Sequence, residues 1–324
     1  MGGGRFSDDD FTTLSTTRMV GKSREDTFTM TRMHPDLNPL GLKLRESRDS
    51  TDNPESTPII IGLDVTGSMG MCADSMARTG LPTLANAIYA RKPVTDPHIM
   101  CCGIGDVECD DAPLQVTQFE ADIRIAEQML LIWLEGHGGG NSHESYLLPW
   151  YLAAFHTVSD SNEKRGKKGY LFVSGDEQPQ EQLSAREIER VFGYVAPQDY
   201  TFEDLYKLAS EKFNVYHILV EEGDFYLHYP TRTKEAWLKH MPKDHLLHLA
   251  DHTKMAELIV STIQLNEGGD LDSIADSWGS TDTSTMLKKA LKDFVVTSSS
   301  VYIPPVVSAP IVDADGNFDL TPGE

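Results

Sequence analysis

Three features of this chain point to an α/β fold with a doubly wound, mostly parallel sheet flanked by helices. First, the apolar runs PIIIGLD (58–64), HIMCCGIGD (98–106), GYLFVSGDE (169–177) and NVYHILVEEGD (214–224) are short and continuous rather than alternating. Strands buried on both faces of a parallel sheet read this way. Second, helix-like stretches separate these runs along residues 58–266, as strand–helix–strand crossovers require. Third, the segments IIIGLD and YLFVSGD close on the carboxylates Asp64 and Asp176, where an open parallel sheet places its ligand sites.

Residues 1–57 are polar, rich in Ser, Thr, Arg and Asp, and have no sustained period. DSTDNPESTP closes them with breaker residues, so this is an irregular N-terminal arm, either disordered or strapped across the domain. The main domain spans 58–266. After the first strand, a small-residue loop leads into a helix through about Arg91, then HIMCCGIGD follows as the second strand. PLQVTQF (113–119) reads as a third strand, shorter and more exposed. ADIRIAEQMLLIWLEG (121–136) carries apolar residues at helical spacing, at Ile123, Ala126, Met129, Leu130 and Trp133. A glycine-rich break precedes a second helix, SYLLPWYLAAFHT. Helices around 183–192 and 201–213 follow the strand at 169–177, and LLHLAD with TKMAELIVSTIQL closes the domain near Asn266. Residues 267–324 form an appendage, helical over TSTMLKKALKDF and then extended. No internal repeat is evident.

A hydrophobic fraction of 40 % is ample for a sizeable core in 324 residues. Fifty acidic against 28 basic residues give a net charge of −22, which repels phosphate backbones and anionic bilayers. Nucleic acid and membrane are therefore not expected partners, whereas divalent cations and basic surfaces are favoured. The same charge also serves solubility alone. Cys72, Cys101, Cys102 and Cys109 lack CxxC spacing and read as buried reduced thiols. MGGGRFSDDD has no apolar signal region, and MLLIWL and YLLPWYLAAF are too short to span a bilayer. A cytoplasmic protein is expected, or a virion component if phage-encoded.

The chemistry concentrates in three loops. Asp64 is followed at two and four residues by Thr66 and Ser68, so both hydroxyls can turn to one centre, with Gly67 relieving crowding. Gly138-Gly139-Gly140-Asn141-Ser142 lies between this loop and Asp176 in sequence. Oxygen donors of this kind suit a hard cation. Neutral hydroxyl ligands leave most of its charge unneutralised. With Asp176 behind a water, such an ion can accept a carboxylate from outside.

DVTGSMG (64–70) resembles the D-x-S/T-x-S metal-ion-dependent adhesion site of the von Willebrand factor type A domain family, with Thr66 in place of the commoner first serine. GGGNSHES is similar to the family's second loop, whose usual threonine is absent here, leaving Asn141 or Ser142 to substitute. VSGDEQP resembles the third loop and puts Asp176 in the acidic position. The resemblance covers 58–266 and implies a vWA-like (Rossmann-like) fold. It also implies one Mg2+ (or Mn2+ or Ca2+) held by Asp64, Thr66, Ser68, Asn141 or Ser142, and Asp176. The function implied is non-enzymatic: capture of a partner protein through an Asp or Glu side chain, the partner being an AAA+ ATPase or a multi-subunit assembly. RESRDS and EKRGKKGYLF are like segments of uncharacterised bacterial and phage homologues.

Other readings use the same residues. An Asp-Ser-Thr loop after a strand often caps a helix, here through Thr66 or Ser68. LDVTGS also resembles the aspartyl-phosphate loop of haloacid-dehalogenase-like phosphotransferases. Asp64 would then be the nucleophile, Ser174 or Lys168 a phosphate ligand, and Asp176, with Glu181 nearest as a further acid, would bind Mg2+. Against it, Thr66 stands where a general acid is usual and GGGNSHES has no role. A metal-independent structural subunit is the third reading.

Smaller signals are weaker. Asp313, Asp315, Asn317, Asp319 and Glu324 fit the spacing of a calcium loop, but Phe318 stands where glycine is needed, so a turn between extended segments is expected. His240, His245, His248 and His252 are not expected to converge. Asp106, Asp110 and Asp111 either add negative potential to the site's rim or form a solvated loop. Glu144 either caps a helix or orients a ligand.

Overall fold

The computed structural model describes residues 22–76, 81–137 and 141–294, with short pieces at 13–14, 17, 311–312 and 318–319. Six strands form the central sheet: β1 (Thr57–Asp64), β2 (Pro97–Ile104), β3 (Leu114–Val116), β4 (Gly169–Gly175), β5 (Phe213–Val220) and β6 (Leu246–Leu249). Their order is β6-β5-β4-β1-β2-β3, and every pairing is parallel except β2 with β3. The chain leaves β1 toward β2 on one side and later returns to β4 on the other. The direction of winding therefore reverses between β1 and β4, and a crevice opens beyond their carboxyl ends.

Continuous apolar strands make this possible because successive side chains enter opposite layers. Ile59, Ile61 and Leu63 face one core with Tyr170, Phe172, Tyr216 and Ile218. Ile60 faces the other with Met100, Leu171, Val173 and Val215. Helices α1 (Gly70–Ser75) and α2 (Leu81–Arg91) cover the first face, while α3 (Arg124–Met129) follows β3 and α4 (Leu147–Phe155) covers the second. Next come α5 (Asp160–Arg165), α6 (Ala185–Phe192) and α7 (Phe202–Lys212), then α8 (Asp224–His228), α9 (Pro230–His240), α10 (Met255–Asn266), α11 (Leu271–Asp276) and α12 (Thr281–Ala290). Helices α6, α7 and α9 complete the second layer, and α10 the first. Ile274, Ala275, Leu287 and Leu291 of the region beyond 266 belong to the same core as α10.

Several elements differ from expectation. The helix expected over 121–136 stops at Met129. Gln115 on β3 clasps the main chain of Trp133, donating to its carbonyl at 2.8 Å and accepting from its N–H at 2.8 Å, which keeps 132–137 out of the helix. Strand β3 is buried rather than exposed. The arm supplies the reason, since Arg45 donates to the carbonyls of Thr117 (3.0 Å) and Val116 (3.4 Å). Arg45–Ser47 also pairs in parallel with Thr157–Ser159. Cys72, Cys101 and Cys102 are buried free thiols, but Cys109 is exposed because it sits on a turn after β2. Helices α8 and α9 were not anticipated. Among the described residues no helix is long and apolar enough to cross a membrane.

Candidate functional site

Asp64 ends β1, and Val65 N–H continues the ladder to the Ile104 carbonyl at 2.9 Å. The chain then folds back on its own carboxylate. Asp64 Oδ1 accepts from Thr66 N (2.9 Å) and Thr66 Oγ1 (2.5 Å). Asp64 Oδ2 accepts from the Tyr146 hydroxyl at 2.7 Å. Ser68 Oγ donates to Asp176 Oδ1 at 2.7 Å and lies 3.4 Å from Thr66 Oγ1. The predicted first and third loops thus meet, joined through two hydroxyls. Neither hydroxyl caps the helix: α1 begins after Met69 with no side-chain cap. The capping alternative is not what this loop does.

Two glycines permit the close approach. A Cβ on Gly67 would lie 3.0 Å from the carbonyl oxygens of both Gly136 and His137. Those carbonyls belong to the segment that crosses the first loop, with Gly67 N–H donating to His137 O and Gly136 N–H to Val65 O (3.1 Å). Gly223 packs its Cα against Asp176, where a Cβ would come to 2.3 Å from the Asp176 Cβ. The turn at Gly223 starts α8, whose Phe225 N–H donates to Asp176 Oδ2 at 2.9 Å while Asp224 N–H holds the Ser68 carbonyl at 2.9 Å.

The second loop sits differently. Gly138, Gly139 and Gly140 lie outside the described residues. Asn141 donates its amide to Asp106 Oδ2 (2.8 Å) and Glu108 Oε2 (3.3 Å), not to Asp64 or Asp176. Its Oδ1 is buried without a hydrogen-bond partner. Ser142 adopts φ 75° and accepts from Gln178 Nε2 at 3.1 Å through its carbonyl, while His143 bridges to Gln178. The second loop is therefore tied to the third by its backbone, and Asn141 faces Asp106, a carboxylate expected either at the site's rim or in a solvated loop.

Five carboxylates are buried together here: Asp64 and Asp176 at 0 %, Asp106 at 0 %, Glu144 at 2 % and Glu177 at 8 % exposure. Among the described residues none of the five forms an ion pair with a lysine, arginine or histidine. Burial, then the charge of Asp176, push the Asp64 carboxyl well up, against the bonds from Thr66 and Tyr146. Burial, then Asp64, Glu177 and Asp106, raise Glu144 strongly. Glu177 is pushed up to about 7 by burial and by Asp176. Asp176 is raised by burial against hydrogen bonds from Ser68 and Phe225. Tyr146 stays a neutral donor, its hydroxyl raised far above its ordinary value by burial and the surrounding acids.

This donor set fits a divalent cation. Thr66 and Ser68 give their protons to carboxylates, which leaves oxygen lone pairs for a metal. The partnerless Asn141 Oδ1 and Glu144 Oε2 are acceptors that the protein itself does not satisfy.

Tyr146, Glu177, Asp224 and Phe225 were missed because only tertiary contact brings them here. Tyr146 was visible as an aromatic in an apolar helix, which carries no signal for a site. Asp106 and Asp110 are buried rather than solvated, and only Asp111 is exposed. Glu144 sits among the carboxylates just before α4, whose N-cap is Tyr146. The histidines at 240, 245, 248 and 252 go to separate partners, namely Glu203, Tyr206, Glu221 and Glu222. Ile311–Val312 pairs antiparallel with Phe318–Asp319, the expected turn arrangement. Asp313, Asp315, Asn317 and Glu324 lie outside the described residues.

For the phosphotransferase reading, Ser174 Oγ donates to the Gly62 carbonyl at 3.1 Å. Lys168 precedes β4, whose Tyr170 aligns with Ile59, so it stands at the opposite end of the sheet from Asp64. At about 3.3 Å per residue that separation is roughly 20 Å. Glu181 is exposed and paired with Lys239 at 2.9 Å.

Compared with known proteins, the chain matches no family model and no curated protein sequence.

Proposed function

We propose that this chain is a metal-dependent protein-binding module with a von Willebrand factor type A-like domain, not an enzyme. The observation that carries the reading is the joining of Asp64, Thr66, Ser68 and Asp176 in one hydrogen-bonded cluster at the point where the sheet reverses its winding. Mg2+, or Mn2+ or Ca2+ in its place, would be held by Thr66 and Ser68 with Asp64 and Asp176 close by. Asn141 is the second-loop candidate, through its partnerless Oδ1. When bound, such an ion supplies positive charge that an Asp or Glu side chain of a partner protein can meet.

A protein partner is favoured over a small ligand by the helix whose first turn holds Asp176 and the Ser68 carbonyl. Leu227 is 61 % exposed and Tyr229 49 %, both following the helix start that holds Asp176. Exposed apolar groups on the element that anchors the acidic cluster suit a docking face, in which such anchors accompany polar groups. The partners implied are an AAA+ ATPase or a multi-subunit assembly, in a cytoplasm or a virion.

The test is affinity capture from native lysate in Mg2+ and in chelator, using wild type, Asp64→Ala and Ser68→Ala. A partner held by wild type in Mg2+, and lost in chelator and in both variants, is the expected result. Capture of the same partner in chelator would end the metal-dependent reading.

A further inference from the structure

We infer that Asp110, Glu135 and His137 form a second divalent-cation site, built for a metal that accepts an imidazole, which braces the segment lying across the first loop. One potential ligand atom from each residue lies within 4.8 Å of the others. Asp110 is only 1 % exposed, and its two oxygens differ. Oδ2 accepts from Asp106 N–H at 2.8 Å, whereas Oδ1 has no hydrogen-bond partner. A buried carboxylate oxygen without a donor is costly, and a cation is the partner its chemistry calls for.

Glu135 is fixed beside it by the N–H groups of Asp111 and Ala112, each at 3.0 Å, with its side chain 4 % exposed. Each oxygen keeps a lone pair beyond that bond. His137 Nδ1 stands 3.5 Å from Glu135 Oε1, and the imidazole is 71 % exposed, so it closes the group on the solvent side. The guanidinium of Arg190 comes to this loop but spends its donors on the main-chain carbonyls of Val107 and Asp110 (2.8 Å). Among the described residues no lysine or arginine therefore pairs with either carboxylate.

Two carboxylates and an imidazole suit Mn2+ or Zn2+, whereas Mg2+ prefers oxygen alone. The site would tie the 105–112 loop to 135–137. That second segment is the one whose Gly136 N–H and His137 carbonyl hold Val65 and Gly67. A metal here would stiffen the backbone over Asp64 without touching the first site's ligands.

The test uses the full chain and Mn2+, which avoids competition from the four cysteines. Mn2+ is titrated against excess Mg2+ and free Mn2+ is counted by electron paramagnetic resonance. Wild type is expected to bind one Mn2+ with a nitrogen coupling from imidazole in its pulsed spectrum. In His137→Ala the coupling vanishes and affinity falls at least tenfold. Asp110→Asn weakens binding similarly, and Asp64→Asn leaves this site unchanged. Should Asp110→Asn fail to fold, His137→Ala, at a largely exposed side chain, still decides. Absence of Mn2+ binding in wild type, or binding with no nitrogen coupling that His137→Ala leaves intact, overturns the inference. Because it does not depend on Asp64, loss of the proposed Mg2+ function would leave this result standing.

Discussion

The two ends of strand β1 carry acidic clusters that are resolved in opposite ways. At the entering end, Asp160 accepts from Lys164 at 2.7 Å and Arg48 at 2.9 Å, and Asp49 accepts from Arg165 at 2.7 Å. Burial alone would raise Asp160, but Lys164, Asp49 N–H and Arg48 hold it far below the usual carboxylate range. Asp49 is lowered in the same way, against burial, by Arg165 and Ser56. At the leaving end, Asp64, Asp106, Glu144, Asp176 and Glu177 have hydroxyl, amide and phenol donors but, among the described residues, no basic side chain; burial raises four of them, with repulsion between the acids adding to it at Asp64, Glu144 and Glu177. In the first cluster the fold provides its own cations. In the second, the described residues supply no base, and the carboxyls are instead shifted toward their neutral forms.

The sharpest way to break this contrast is a metal titration. At one hundred times its dissociation constant, Mg2+ is expected to stabilise the wild type by about 2.7 kcal/mol. Asp64→Asn should lose that gain while leaving the metal-free protein no less stable at pH 8, since it removes a buried charge. Thermal unfolding with and without Mg2+ reads both. Next in size, Asp160→Ala should cost about 1–3 kcal/mol by stranding its donors, yet keep the whole Mg2+ response. An equal loss of that response would mean that the clusters do not act separately.

The pH dependence sharpens the comparison further. Groups raised in the folded state, such as Glu177 at about 7, contribute stability that is full below their unfolded value near 4. That contribution is lost as pH rises through the folded value. The metal-free protein should therefore have a lower urea midpoint at pH 8 than at pH 5, and Mg2+ should flatten the difference. Asp160 and Asp49, being lowered, act with the other sign: their contribution is present above about pH 4 and disappears on acidification. The smallest effect is expected from Tyr146→Phe. It removes one hydrogen bond to Asp64, costs about 1 kcal/mol, and makes the alkaline loss of stability larger with a higher midpoint, because that bond lowers the Asp64 carboxyl.

Much of this was legible because it is local. The runs ending in Asp64 and Asp176 announced two buried strands, and the spacing of Thr66 and Ser68 announced a loop whose hydroxyls turn to one centre. What escaped depends on chain segments far apart in sequence. PTRTKEAWLKH hides helix α9 because its polar face dominates, although Trp237 is fully buried and donates to the Glu177 carbonyl at 2.9 Å. The stretch 130–136 has helical spacing, yet the side chain of Gln115 takes its backbone bonds at Trp133. Asn141 follows a run of glycines that fixes no direction, and only the fold shows it turned to Asp106.

Arg45 closes the β3 border of the sheet with a guanidinium instead of another strand. A border whose carbonyls are already claimed makes a poor template for a foreign strand, so strand addition is disfavoured there. Removing the arm through Ser47 would strip that guard. A shortened chain should then self-associate through β3, with its tendency to form aggregates rising as protein concentration rises.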